Sequence, residues 1–158
     1  MRHGEIFPTS IVPVIANSAP VLMKWGFSRF DGKGQIINAR LETADEKPMF
    51  KKAYNTQRCL IPAGYYFEWH KDGSKKQKYA IGTVVPIYMA GLYKFEPDIP
   101  IPVFVVLTRP SAPDMAFIHD RMPVIVPVHI RQRWLAAPVG VQKMLELSDE
   151  TMKYMEVV

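Results

Sequence analysis

Three short polar segments stand against apolar runs and hold the residue types that can move protons. They are Asn38-Ala39-Arg40-Leu41-Glu42-Thr43, Glu68-Trp69, and Ile118-His119-Asp120-Arg121-Met122-Pro123. Glu68 ends the run Arg58–Trp69, RCLIPAGYYFEW, and is flanked by Phe67 and Trp69. Such a carboxylate is either a surface group at a strand end or partly buried. If buried, its pKa rises and it can exchange protons near neutral pH. Histidine is the residue type suited to acid or base work in that range, which makes His119 a candidate. A lone histidine more often makes a structural hydrogen bond. Asp120 could orient a neighbour or cap a turn. Asn38 and Arg40 alternate along a strand, so both could point into one groove; Arg40 could instead pair with Glu42 or another carboxylate.

Other chemistries are less well served. Glu68, His119 and Asp120 could ligate a metal, but no HxH or HExxH spacing accompanies them. The remaining histidines, His3, His70 and His129, fall in a frayed start, a hairpin and a helix. No metal or other cofactor is expected. Cys59, His119 and Asn38 could in principle form a thiol hydrolase site. Cys59, however, lies inside an apolar strand between Arg58 and Leu60, and a buried thiol is inert. One cysteine also leaves no internal disulfide, which suits a reducing, cytoplasmic setting.

The elements that must position these residues are mainly strands. Ser10–Asn17 is β-rich, with Pro13 favouring an edge or bulge and Asn17-Ser18 a turn. Val21–Phe30 reads as a second strand with Gly26 at a bulge or close approach. Asp31–Gly34 is a loop, and Gln35–Arg40 a short strand. A helix is predicted over Glu42–Tyr54, capped by Thr43 or Asp45, with Pro48 in its first turn and Met49, Phe50, Ala53 and Tyr54 on one face. Arg58–Trp69 continues through an Asp72-Gly73 hairpin to Lys78–Ile81. Strands follow at Val84–Tyr93, at Val103–Thr108 (apolar throughout and so central) and at Met122–Val128. Pro97–Pro102 is a rigid loop, Pro113–Ile118 a short helical turn, His129–Leu135 a short helix and Val141–Leu147 a further helical turn. About seven strands with short helices and no βαβ alternation predict an α+β fold. We expect a single domain over residues 1–158, built on a mostly antiparallel, curled or barrel-like sheet.

The 158 residues suffice for one domain with a proper core. Hydrophobic residues make up 48% and charged residues 22%, an ordinary globular balance, and no apolar run reaches the ~20 residues of a membrane helix. No membrane partner and no signal peptide are expected. The formal charge of +5 is compatible with a polyanionic partner such as nucleic acid. Lys71, Lys75, Lys76 and Lys78 give the hairpin a basic tip, by default a solvated one.

Taken in order, Trp25-Gly26-Phe27, Asn38–Thr43, Arg58–Trp69, Ala90–Tyr93, Val105–Thr108 and Ile118–Val126 resemble the SOS-response-associated peptidase (SRAP) family, that of the abasic-site shield proteins. The resemblance covers most of residues 6–135. It implies a partner, single-stranded DNA carrying an abasic site near a junction with duplex. It also implies a reaction in which an N-terminal cysteine, exposed by autocatalytic removal of Met, forms first a Schiff base and then a thiazolidine with the ring-opened sugar. Asn38 would position that cysteine, Glu68 would assist proton transfer at the amine, and His119 would handle protons on the sugar. Arg40 and Arg121 would contact phosphates, and Trp25, Trp69 and Thr108 would lie along the DNA groove. A non-covalent module for single-stranded DNA is the alternative.

The family opens with Met-Cys-Gly-Arg, whereas Arg2 follows Met1 here, and Glu5–Pro8 aligns several tens of residues into the family pattern. The expectation is a piece that holds the acid/base half of the site without its nucleophile or first strand. Such a piece would form no thiazolidine, and its open sheet edge would favour dimerisation or strand exchange.

Overall fold

A computed structural model describes residues 4–158; the start of the chain, His3 included, lies outside the described residues. The first half runs β1 (Ile11–Ala16), β2 (Ala19–Trp25), β3 (Phe27–Ser28), β4 (Gln35–Ile36), β5 (Asn38–Arg40), α1 (Leu41–Ala44) and α2 (Pro48–Thr56). The second runs β6 (Arg58–Asp72), β7 (Lys75–Lys94), β8 (Val103–Pro110), β9 (Arg121–Pro123), α3 (Arg131–Ala136), α4 (Val141–Leu147) and β10 (Lys153–Val157).

Five of these strands close into a barrel. β1 pairs with β2 through Asn17 and Ser18, a two-residue turn in which both residues have positive φ (49° and 63°). That turn type matches the twist of the strands it joins. β2 lies parallel to β8, β8 antiparallel to β7, and β7 antiparallel to β6. The ring closes through one pair, Ile15 opposite Leu60, between β1 and β6. The sheet is therefore mixed: β5 also runs parallel to β8.

Side-chain alternation divides the core in two. Val14, Met23, Cys59, Ile61, Met89, Phe104 and Val106 come from all five barrel strands and fill its interior. Leu60, Leu92, Val103, Val105 and Leu107 point outward and are covered by Leu41, Phe50, Tyr54, Trp134 and Met144 of the helices. β8 is buried on both faces from Val103 to Arg109, as its apolar run predicts.

Several boundaries differ from the expectation. The helix over 42–54 is two helices, because Lys47 precedes Pro48 and takes an extended conformation (ψ 129°). Pro48 does open α2, but the N-caps are Arg40 and Lys47, with Thr43 inside α1 and Asp45 at its C-cap, and Met49 is exposed while Phe50, Ala53 and Tyr54 are buried. The strand expected over Met122–Val128 stops at Pro123. Pro123 and Pro127 lack the N–H groups a ladder needs, Ile125 makes only isolated bridges, and Val128 opens a 3-10 turn. The stretch 35–40 is interrupted at Ile37. The hairpin turn is Gly73-Ser74, since Asp72 still pairs with Lys75. β7 is continuous, but Thr83–Pro86 bulge out opposite Gly64, so the hairpin above them projects from the barrel. β10 pairs along Lys78–Gly82 of that projection, a strand not expected from the sequence.

Candidate functional site

β6 carries Glu68 out of the barrel along the projecting hairpin. Alternation puts Tyr66, Glu68 and His70 on one face, with Tyr79 opposite Glu68. Tyr65, Phe67 and Trp69 occupy the other face. Lys78 lies over Phe67 (3.8 Å) and Trp69 (5.4 Å), Lys76 over Trp69 (5.1 Å), and Lys78 binds Glu5 at 2.7 Å. Trp69 is thus half-buried under lysines on the face away from Glu68.

Glu68 is half-buried, and burial pushes its pKa above the ordinary carboxylate value. The His119 imidazole and the Trp69 backbone N–H pull it back down, and the Asp120 carboxylate pushes it up. The Tyr66 hydroxyl is raised by burial and by Glu68. His119 and Asp120 both bear on Glu68, so two of the three sequence segments lie near one another.

His119 Nδ1 accepts the Arg121 N–H at 3.1 Å and lies 3.2 Å from Asp120 Oδ1. With Nδ1 accepting, the proton of the neutral ring sits on Nε2. A protonated ring can donate from Nδ1 to Asp120 instead. Its side chain is 43% exposed, so protons can be exchanged with solvent or a bound molecule.

Arg121 joins this cluster to the third segment. Its two terminal nitrogens hold the Glu42 carboxylate, and Nη2 also donates to the Thr108 carbonyl (2.9 Å) and hydroxyl (3.1 Å). The guanidinium keeps the Glu42 carboxyl below its ordinary pKa. Thr108 is only 9% exposed, so its hydroxyl serves Arg121 and does not line a surface groove. Glu42 pairs with Arg121 and not, as weighed from sequence, with Arg40.

Asn38 and Arg40 are both exposed on β5 with Ala39 buried between them, as the alternation predicts. They line an open groove of about 890 Å³ together with Phe30, Lys47, Met49 and Lys94. The parallel register sets Arg40 beside Thr108, and so beside the Arg121–Glu42 pair. Trp25 is committed inward: Nε1 donates to the Ile37 carbonyl at 3.0 Å, and the ring stacks on Phe104 at 6.3 Å. Cys59 is fully buried in the barrel, and burial raises its thiol well above the usual range. Among the described residues, no three metal-ligating side chains gather.

Two contacts were missed from sequence: Glu42 as the partner of Arg121, and His70, whose Nδ1 lies 2.5 Å from the Phe117 carbonyl oxygen. The signal for His70 was its spacing of two from Glu68 on a strand.

The sequence model of the family described as "SOS response associated peptidase (SRAP)" matches residues 2–158. The abasic site processing protein YedK of Escherichia coli is 31% identical over 129 residues, which cover 78% of this chain and 58% of YedK. The abasic site processing protein YoaM of Bacillus subtilis is 34% identical over 107 residues, 64% of this chain and 47% of YoaM. The chain thus spans about half the length of these curated relatives. A crystal structure of a Bacteroides thetaiotaomicron protein shares the fold with a TM-score of 0.83 at 24% identity, covering 95% of this chain and 75% of that one. The chain belongs to the SOS response associated peptidase (SRAP) family.

Proposed function

We propose that this chain supplies the acid/base half of an abasic-site processing centre and grips single-stranded DNA beside it. The observation that carries the reading is the raised Glu68 carboxyl held under the influence of His119. A Schiff base forms when a neutral amine adds to the sugar aldehyde and the adduct loses water. A protonated carboxyl can give the proton that lets water leave, and its carboxylate can take a proton from the amine. His119, whose side chain is 43% exposed, serves the same exchange at the sugar oxygens. Attack of a thiol on the C=N bond then closes a thiazolidine, with the thiol proton passing to nitrogen.

Support for the DNA partner comes from the names of the relatives, the net charge of +5, and the exposed Arg40 beside Lys47 in one groove. The single cysteine of this sequence, Cys59, is buried, so its thiol does not supply the nucleophile.

Fluorescence anisotropy with abasic and intact single-stranded oligonucleotides, followed by a denaturing gel, tests this reading. The expected result is preferential binding of abasic DNA, retained in Glu68→Ala, with no heat-stable adduct from this polypeptide. A heat-stable adduct, or equal binding to intact duplex, would count against it.

A further inference from the structure

Glu68 and His70 stand two residues apart on one face of β6, and Phe117 and His119 stand two residues apart in the segment facing them. His70 Nδ1 lies 2.5 Å from the Phe117 carbonyl oxygen. A carbonyl only accepts, so Nδ1 carries the proton and donates it. Among the described residues this is the one hydrogen bond that ties β6 to the segment 111–120. The Phe117 ring packs edge-on against Tyr79 (5.9 Å) and Tyr154 (5.2 Å), with the His70 ring at 6.1 Å. The other bonds of the segment stay within it or run to β9: the Ile118 and His119 amides donate to the Met115 carbonyl and Ser111 to that of Asp120, while Ala112 N–H reaches Met122 Sδ and the Arg121 N–H reaches His119 Nδ1. Those bonds shape the turn but do not set its distance from β6.

We infer that His70 is a positioning residue, which tethers the His119 segment to the strand that carries Glu68. The inference rests on the reading of Glu68 and His119 as the proton-transfer pair. The tether joins the residue two positions after Glu68 to the residue two positions before His119, so it holds the 117–119 turn against the strand that carries Glu68. Reacting groups displaced by about 1 Å can lose about 10²-fold in rate, which is what such a tether prevents. The requirement is for a donor near the position of Nδ1: asparagine can present one and leucine cannot.

The test is a double-mutant cycle read on the Glu68 carboxyl by 13C NMR titration. The groups that bear on Glu68 are Tyr66, His119, Asp120 and the Trp69 N–H, and only His119 is changed in the cycle. In the parent chain, His119→Asn is expected to move the Glu68 titration upward, because the imidazole draws it down. In a His70→Leu background that movement falls to less than half, and in a His70→Asn background most of it returns. An equal movement in the parent and His70→Leu backgrounds overturns the tether. No movement on His119→Asn in the parent overturns the Glu68–His119 pairing itself, and the tether with it.

Discussion

A carboxyl lifted by burial favours its protonated form more in the folded chain than in the unfolded one. Glu68 is in that position, so ionising it works against folding. Its contribution is fully favourable below the unfolded carboxylate pKa and is lost as pH rises through the higher folded value. Glu68→Gln, which cannot ionise, is therefore expected to raise the melting temperature at pH 7 and to leave it unchanged well below pH 4. Thermal denaturation at the two pH values checks this, and a lower melting temperature for Glu68→Gln at pH 7 would contradict it. At this scale the sequence was informative where chemistry is local. Aromatic flanks left Glu68 open between a surface and a partly buried carboxyl, which the fold resolves as half-buried, and apolar flanks announced that Cys59 is inert. It was uninformative where a partner comes from a distant segment. Nothing in the spacing told that Arg121 would take Glu42, 79 positions away, and close off Thr108. Nor did it tell that Trp25 would turn its indole inward to Ile37.

Strand alternation and proline placement account for most of what could be read of the elements. Asn38 and Arg40 share an exposed face because β5 alternates over a buried Ala39, and the turn at Asn17-Ser18 starts from an asparagine, which tolerates positive φ. The parallel pairing of β5 and β2 with β8 was not legible, because it depends on which strands meet once the barrel closes. β10 was lost for a related reason: Lys153–Val157 is mostly exposed and has no apolar period of its own, and it becomes a strand by pairing with the projecting part of β7. Gly91 shows what closure demands of one position. A Cβ there would lie 2.4 Å from Ile61 Cδ1, 2.8 Å from the Val105 carbonyl oxygen and 3.0 Å from Cys59 Sγ. The carbonyl is backbone and cannot step aside, so Gly91→Ala is expected to cost about 1–3 kcal/mol. A urea midpoint shift at unchanged slope would measure that cost, and an unshifted midpoint would show that the barrel interior yields at this point.

The whole molecule carries a formal charge of +5, yet its arginines are not equivalent. Arg40 is exposed and, among the described residues, has no salt bridge; Arg121 is bound to Glu42 and Thr108. Binding of single-stranded DNA should weaken linearly in log K against log salt, with a slope of about −0.7 for each phosphate neutralised. Arg40→Ala is predicted to flatten that slope by about 0.7 without changing stability. Arg121→Ala is predicted to lower stability, because it leaves the Glu42 carboxylate unpaired beside Thr108. A salt titration of each variant separates the two roles, and an unchanged slope for Arg40→Ala would remove it from the DNA surface. The central claim, that one folded unit brings Glu68 and His119 together for proton transfer at an abasic site, has a direct test. Abasic single-stranded DNA is incubated with free cysteine, with and without the protein, and the rate of thiazolidine formation on the DNA is followed. The wild-type chain is predicted to accelerate the reaction, and Glu68→Gln and His119→Asn to lose about 10²-fold of that acceleration while still binding DNA. Equal rates with and without protein, or full acceleration by Glu68→Gln, would contradict the account.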